Sequence, residues 1–138
     1  MAQAIIHENE NGGVSVTRPS LEALEQYGID WIKNKDTPNN SIIIDDSTLP
    51  QGADGQFFNA WELNGSEITI NFSKAQEIKL SQYNAAAIMV SQNRQLNTLS
   101  GIENIVDDAT WLNKLQSDRA TIASSTTTEQ LIAIENPS

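Results

Sequence analysis

With 138 residues, 38% of them apolar and 19% charged, the chain has the composition of an ordinary globular protein, long enough to bury a core without covalent staples. It contains no cysteine, which excludes disulfides, thiolate nucleophiles and thiolate zinc sites. A net charge of −10 with scattered basic residues argues against a nucleic-acid or membrane partner, and no apolar run approaches the roughly 18 residues of a membrane span.

The N-terminal stretch has no basic region followed by an apolar one, so no secretion signal is expected. Residues 4–7 and 14–17 are β-prone runs separated by Asn9, Asn11, Gly12 and Gly13, which predicts a hairpin. Pro19 ends the second strand. Ser20 is placed to cap a helix whose Leu21, Leu24 and Tyr27 form an apolar stripe, with Gly28 stopping it. A second short helix is expected over residues 30–35, turning Ile29 with Ile32 or Trp31 inward, until Asp36, Thr37 and Pro38 break the pattern. The β-branched run 41–44 reads as a buried strand bounded by Asp45 and Asp46.

Phe57, Phe58, Ala60 and Trp61 are the densest aromatic group and the expected core anchor, Phe58 and Trp61 above all. Residues 61–63 and 67–72 flank Asn64-Gly65, a preferred pair for a tight turn, and Ile68, Ile70 and Phe72 alternate with polar residues. Ser73 with Gln76 has the form of a capping box, and residues 74–99 then lack both glycine and proline, which predicts one long helix ended by Gly101. Its segment 83–90 is apolar on nearly all sides, so more than one neighbour is expected to cover it, and self-association would supply one. Asp107 or Asp108 starts another helix in which Trp111, Leu112, Leu115 and Ile122 keep helical spacing, and residues 126–130 carry a capping signature for a last short one.

The order of elements implies an α+β fold, with a β-rich half over residues 1–72 and a helical interaction region over residues 73–138. No constellation for catalysis emerges. His7 is the sole histidine and has no serine or cysteine motif around it. Asp45-Asp46 and Asp107-Asp108 lack the spacing of a calcium loop and suit strand-end and helix-cap roles. Gly12-Gly13 and Gly52-Ala-Asp-Gly55 lack the lysine of a phosphate loop and read as turns. Trp61 and Trp111 are assigned to the core rather than to stacking on a sugar or base. No catalytic residue, metal or cofactor is expected, and the chain reads as a binding protein whose interaction candidates are Tyr83, Ile88, Met89, Val90 and Trp111.

The middle of the chain carries, in order, Asp36-Thr-Pro38, Ile42-Ile-Ile-Asp45-Asp46, Leu49-Pro50, Phe58-Asn-Ala60-Trp61-Glu62 and Ile70-Asn-Phe-Ser-Lys74-Ala75-Gln-Glu77-Ile78. This order resembles a group of small bacteriophage proteins associated with tails and tail fibres, over residues 4–78 and more weakly over 111–136. Gln56 and Asn59 stand where that group usually has basic residues, and the apolar segment 83–90 replaces its usual charged helix. The resemblance implies a non-enzymatic tail, tail-fibre or baseplate component, made in the host cytoplasm and carried in the virion. Its partners would be other phage tail or fibre proteins and copies of itself through the C-terminal helices. The competing readings are a tail-fibre assembly chaperone, soluble alone, and a small acidic phage inhibitor of a host protein.

Overall fold

The computed structural model describes residues 2–138 and has an α+β fold, built as two compact units that divide between residues 71 and 72. The first unit holds strands β1 (Gln3–Glu8), β2 (Val14–Thr17), β3 (Ile42–Asp45), β4 (Trp61–Asn64) and β5 (Glu67–Ile70), with helices α1 (Leu21–Tyr27), α2 (Ile29–Asp36) and α3 (Ala53–Gln56). The second holds α4 (Phe72–Leu99), α5 (Asp108–Ser124) and α6 (Thr128–Ala133).

In the first unit β1 is central, pairing antiparallel with β2 on one side and with β3 on the other. Strand alternation puts Ile6 and Val16 on one face with Ile42 and Ile44, and this face packs against Trp61, Leu63, Ile68 and Ile70 of the separate β4–β5 hairpin. Ile5, on the opposite face, is fully buried as well, so β1 is covered on both sides.

The hairpin turns one residue later than the Asn64-Gly65 pair suggests. Its central residues are Gly65 and Ser66, and Gly65 has φ +63°, the geometry of a turn with glycine first. Packing selects this register. Trp61 then opposes Ile70 and Leu63 opposes Ile68. A one-residue slip would set Glu62 against Glu67 and Leu63 against Ser66, trading apolar pairs for like charges. Asn64 closes the strand end instead, donating to the Thr69 hydroxyl at 2.7 Å.

Trp61 is buried and its indole nitrogen donates to the Asp54 carbonyl at 3.0 Å, which ties the hairpin to α3. Phe57 and Ala60 are buried with it, whereas Phe58 is 42% exposed and leans on the outer side of Trp61, ring centres 4.7 Å apart. Phe58 is therefore not a core anchor. Neither is the α1 stripe: Leu21 and Tyr27 are exposed, Tyr27 stacks on Trp31 at 4.2 Å, and of the α2 residues Ile32 alone is buried. β3 runs one residue beyond the expected segment and is half-buried rather than buried, because it forms an edge of its sheet.

Trp61→Ala is expected to cost about 3–5 kcal/mol of stability, the range for truncating a buried aromatic, and Phe58→Ala less than about 1.5 kcal/mol. Denaturant unfolding of the two variants measures the difference; equal losses would put Phe58 in the core after all.

Candidate functional site

The second unit is organised by α4. Ala75, Lys79, Tyr83 and Ala87, four residues apart, form a buried file along one side of the helix, against which α5 and α6 pack. Leu115 and Ile122 supply the apolar face of α5, and Leu131 that of α6. Two members of the file are polar, and each finds partners. The Tyr83 hydroxyl donates to Asp118 at 2.6 Å, and Lys114 donates to the same carboxylate oxygen at 2.7 Å. The Lys79 ammonium donates to the Ile134 carbonyl and, at 3.1 Å, to Asn136, pinning the residues after α6.

Burial drives the Tyr83 phenol above its ordinary pKa, and its bond to Asp118 adds to the rise. Burial likewise pushes Lys79 down, opposed by the Asp118 charge. Burial alone would raise Asp118, but hydrogen bonds from Lys114 and Tyr83, with the charges of Lys114 and Lys79, hold it below the ordinary carboxylate range.

The helix ends are closed mostly by local caps, and in one case by a side chain from another helix. Ser73 does not act as a cap, since α4 already begins at Phe72. Gln76 instead donates to the carbonyls of Ile122 and of the C-cap residue Ser125, both at 3.2 Å, adding a second donor to an Ile122 carbonyl that already accepts from the Ser125 amide. At the other end of α4, Gly101 (φ +73°) donates to Thr98 and Ile102 donates to Asn97, the paired bonds that close a helix on a left-handed residue. Asp107 caps α5 through the Thr110 amide, which lowers its carboxyl pKa, and Thr127 with Gln130 forms a full capping box on α6. Among the described residues no group of three or more His, Asp or Glu side chains is placed to hold a metal ion.

The sequence-derived interaction candidates separate. Tyr83 is fully buried and closed off by Asp118, so it is removed from the interaction set. Ile88 and Met89 are 59% and 67% exposed, and Val90 is partly covered. Trp111 is half-buried beneath Arg94, whose guanidinium lies 5.1 Å from the ring and pairs with Asp108. Trp111 also lines a groove of about 490 Å³ with Gln95, Leu99 and Leu112.

The apolar segment 83–90 is covered from the buried file alone, and its other side is bare. At 100° per residue, Ala85, Ile88, Met89, Leu96 and Leu99 fall within about 100° of arc, roughly opposite the buried file. All five are exposed. Leu96 and Leu99, absent from the sequence-derived set, return to this side two turns beyond Met89, past the exposed Gln92 that interrupts it, and the helical period of the sequence carries the signal that finds them.

The chain matches no protein-family model, no curated protein and no solved structure.

Tyr83→Phe is expected to cost about 1–2 kcal/mol, the loss of one hydrogen bond from a buried phenol to a half-buried carboxylate, with the long helix retained by circular dichroism. The depressed Asp118 carboxyl adds stability that is complete above its unfolded pKa, near 4, and is lost as pH falls through its folded value. Asp118→Asn should therefore flatten part of the fall in stability below about pH 4, read from urea midpoints; an unchanged acid limb would contradict the assignment.

Proposed function

We propose that the chain is a non-enzymatic bacteriophage tail, tail-fibre or baseplate component that acts through protein contacts made by its helical unit. The observation that carries this reading is the bare apolar stripe on α4, from Ala85 to Leu99, beside the groove lined by Trp111 and Leu112. Exposed leucines scattered singly need no explanation, but several large apolar side chains on one side of one helix, broken by Gln92 alone between Ala85 and Leu99, do. A second helix laid along it would pack side chains between its ridges, as paired helices do. The ordered motifs from Asp36 to Ile78 supply the phage part of the reading.

Every polar member of the buried file is already consumed by structural hydrogen bonds, so the helical unit offers a surface rather than reactive groups. A copy of this chain or a fibre protein is the occupant proposed for that surface. It would remain in the particle, because an apolar file of this length favours lasting burial over transient contact.

Sedimentation of the purified protein, alone and mixed with the adjacent fibre protein, tests the proposal. A homo-oligomer or co-complex is expected, and the double change Ile88→Glu and Met89→Glu should dissociate it while leaving the monomer folded, because neither side chain belongs to the buried file. A monomer that ignores the fibre protein would overturn the reading.

A further inference from the structure

The first unit has a second kind of surface, made of backbone. The Asp46 amide donates to the Ala2 carbonyl, so the residues of β3 in step with it, Ile42 and Ile44, direct their N–H and C=O groups at β1. By the same alternation Ile43 and Asp45 direct theirs outward, along an edge that pairs with no other strand among the described residues. The Asp45 carbonyl accepts from the Thr48 hydroxyl, leaving the Ile43 N–H, the Ile43 C=O and the Asp45 N–H open.

This edge opens into a cleft of about 540 Å³ whose lining includes Ile43, Asp45 and Thr48 on one side and Ser66, Glu67 and Ile68 on the other. The strand that carries the open backbone groups therefore forms one wall of a cleft whose other wall is the start of β5. The cleft is lined by two carboxylates and by no cation. Its surroundings share that sign: residues 1–71 carry eleven acidic and three basic side chains, against seven and five in residues 72–138. One of those three cations, Arg18, is already paired with Asp46.

We infer that β3 is a docking edge for an extended, basic segment of a partner protein, which adds as a fourth strand beside it. Main-chain hydrogen bonds to Ile43 and Asp45 would supply affinity and register, as in other strand additions. Lysine or arginine side chains on alternate residues of the segment would meet Asp45 and Glu67. Because it uses the β-rich unit alone, this site stands or falls independently of the α4 surface.

The probe is a short synthetic peptide, blocked at both ends, that alternates valine with lysine, added to the full chain. Binding is expected to slow hydrogen exchange at the Ile43 and Asp45 amides and to leave the Ile42 and Ile44 amides, already bonded to β1, unchanged. Methylating alternate backbone nitrogens of the peptide should abolish binding. Replacing its lysines by glutamate should do the same. Glu67→Lys should weaken the lysine peptide about two- to fivefold, the scale of one exposed charge pair. Ile43→Pro removes an open donor without touching the ladder to β1 and should prevent docking, provided its spectrum shows the fold intact. Absence of binding, equal binding of the methylated or glutamate peptide, or Ile43 and Asp45 amides already protected in a dimer of this chain would each overturn the inference.

Discussion

The helical unit depends on the polar residues buried in the middle of α4. A lysine and a tyrosine among alanines would be costly in an interior without partners. Here the partners come from distant segments: Asp118 of α5 receives Tyr83, and Ile134 and Asn136 receive Lys79. Apolar packing of Ala75 and Ala87 against Leu115, Ile122 and Leu131 tolerates small slips along the helix. The hydrogen bonds do not, since sliding α5 by one turn would leave the buried Tyr83 phenol without a partner and Asp118 with Lys114 alone. Gln76 adds a third fixed point by closing the last turn of α5. Placement of both later helices thus follows from what the buried file of α4 requires.

That requirement has a consequence for the opposite side of α4. Once the file is satisfied, α5 and α6 are committed to one flank, and Ile88, Met89, Leu96 and Leu99 have no cover within the unit. The Arg94 guanidinium, stacked over Trp111 and paired with Asp108, and the Asn97–Asn104 hydrogen bond hold the connection between α4 and α5 in place beside this stripe. The bare surface is therefore presented by a fixed scaffold. Such preorganisation lowers the entropy cost of binding.

The β-rich unit reaches a comparable condition by another route. Its two sheets close on a shared core in which Trp61 is the largest member, yet each sheet is only two or three strands wide, so a large share of its strand edges stays unpaired. The short β3 edge, with Asp45 on it and Glu67 across the cleft, limits indiscriminate pairing between copies, since a like-charged edge repels its own image. The same chemistry favours a basic strand. One chain therefore exposes two surfaces of different kind, apolar side chains on a helix face and unpaired backbone at a sheet edge.

Local chemistry alone was enough to read the α+β order, the β1–β2 hairpin, the start of α1 at Ser20, a cap for α5 at Asp107 or Asp108, a capping signature for α6 within residues 126–130 and the closure of α4 at Gly101, because turns and caps are decided by residues a few positions apart. Tertiary structure decided what depended on distant partners. The Asn64-Gly65 pair yielded to Gly65-Ser66 because cross-strand pairing of Trp61 and Leu63 outweighs the preference of two turn residues. Tyr83 read as an interface residue from the apolar run around it, but Asp118, thirty-five positions away, draws it inside. Phe58 and Trp61 are close in sequence and chemically alike, yet only the indole N–H has a carbonyl to meet, and only Trp61 is buried. The helical period in the sequence marks two apolar sides on α4, and which of them is covered follows from the long-range bonds of Lys79 and Tyr83, which no local pattern records.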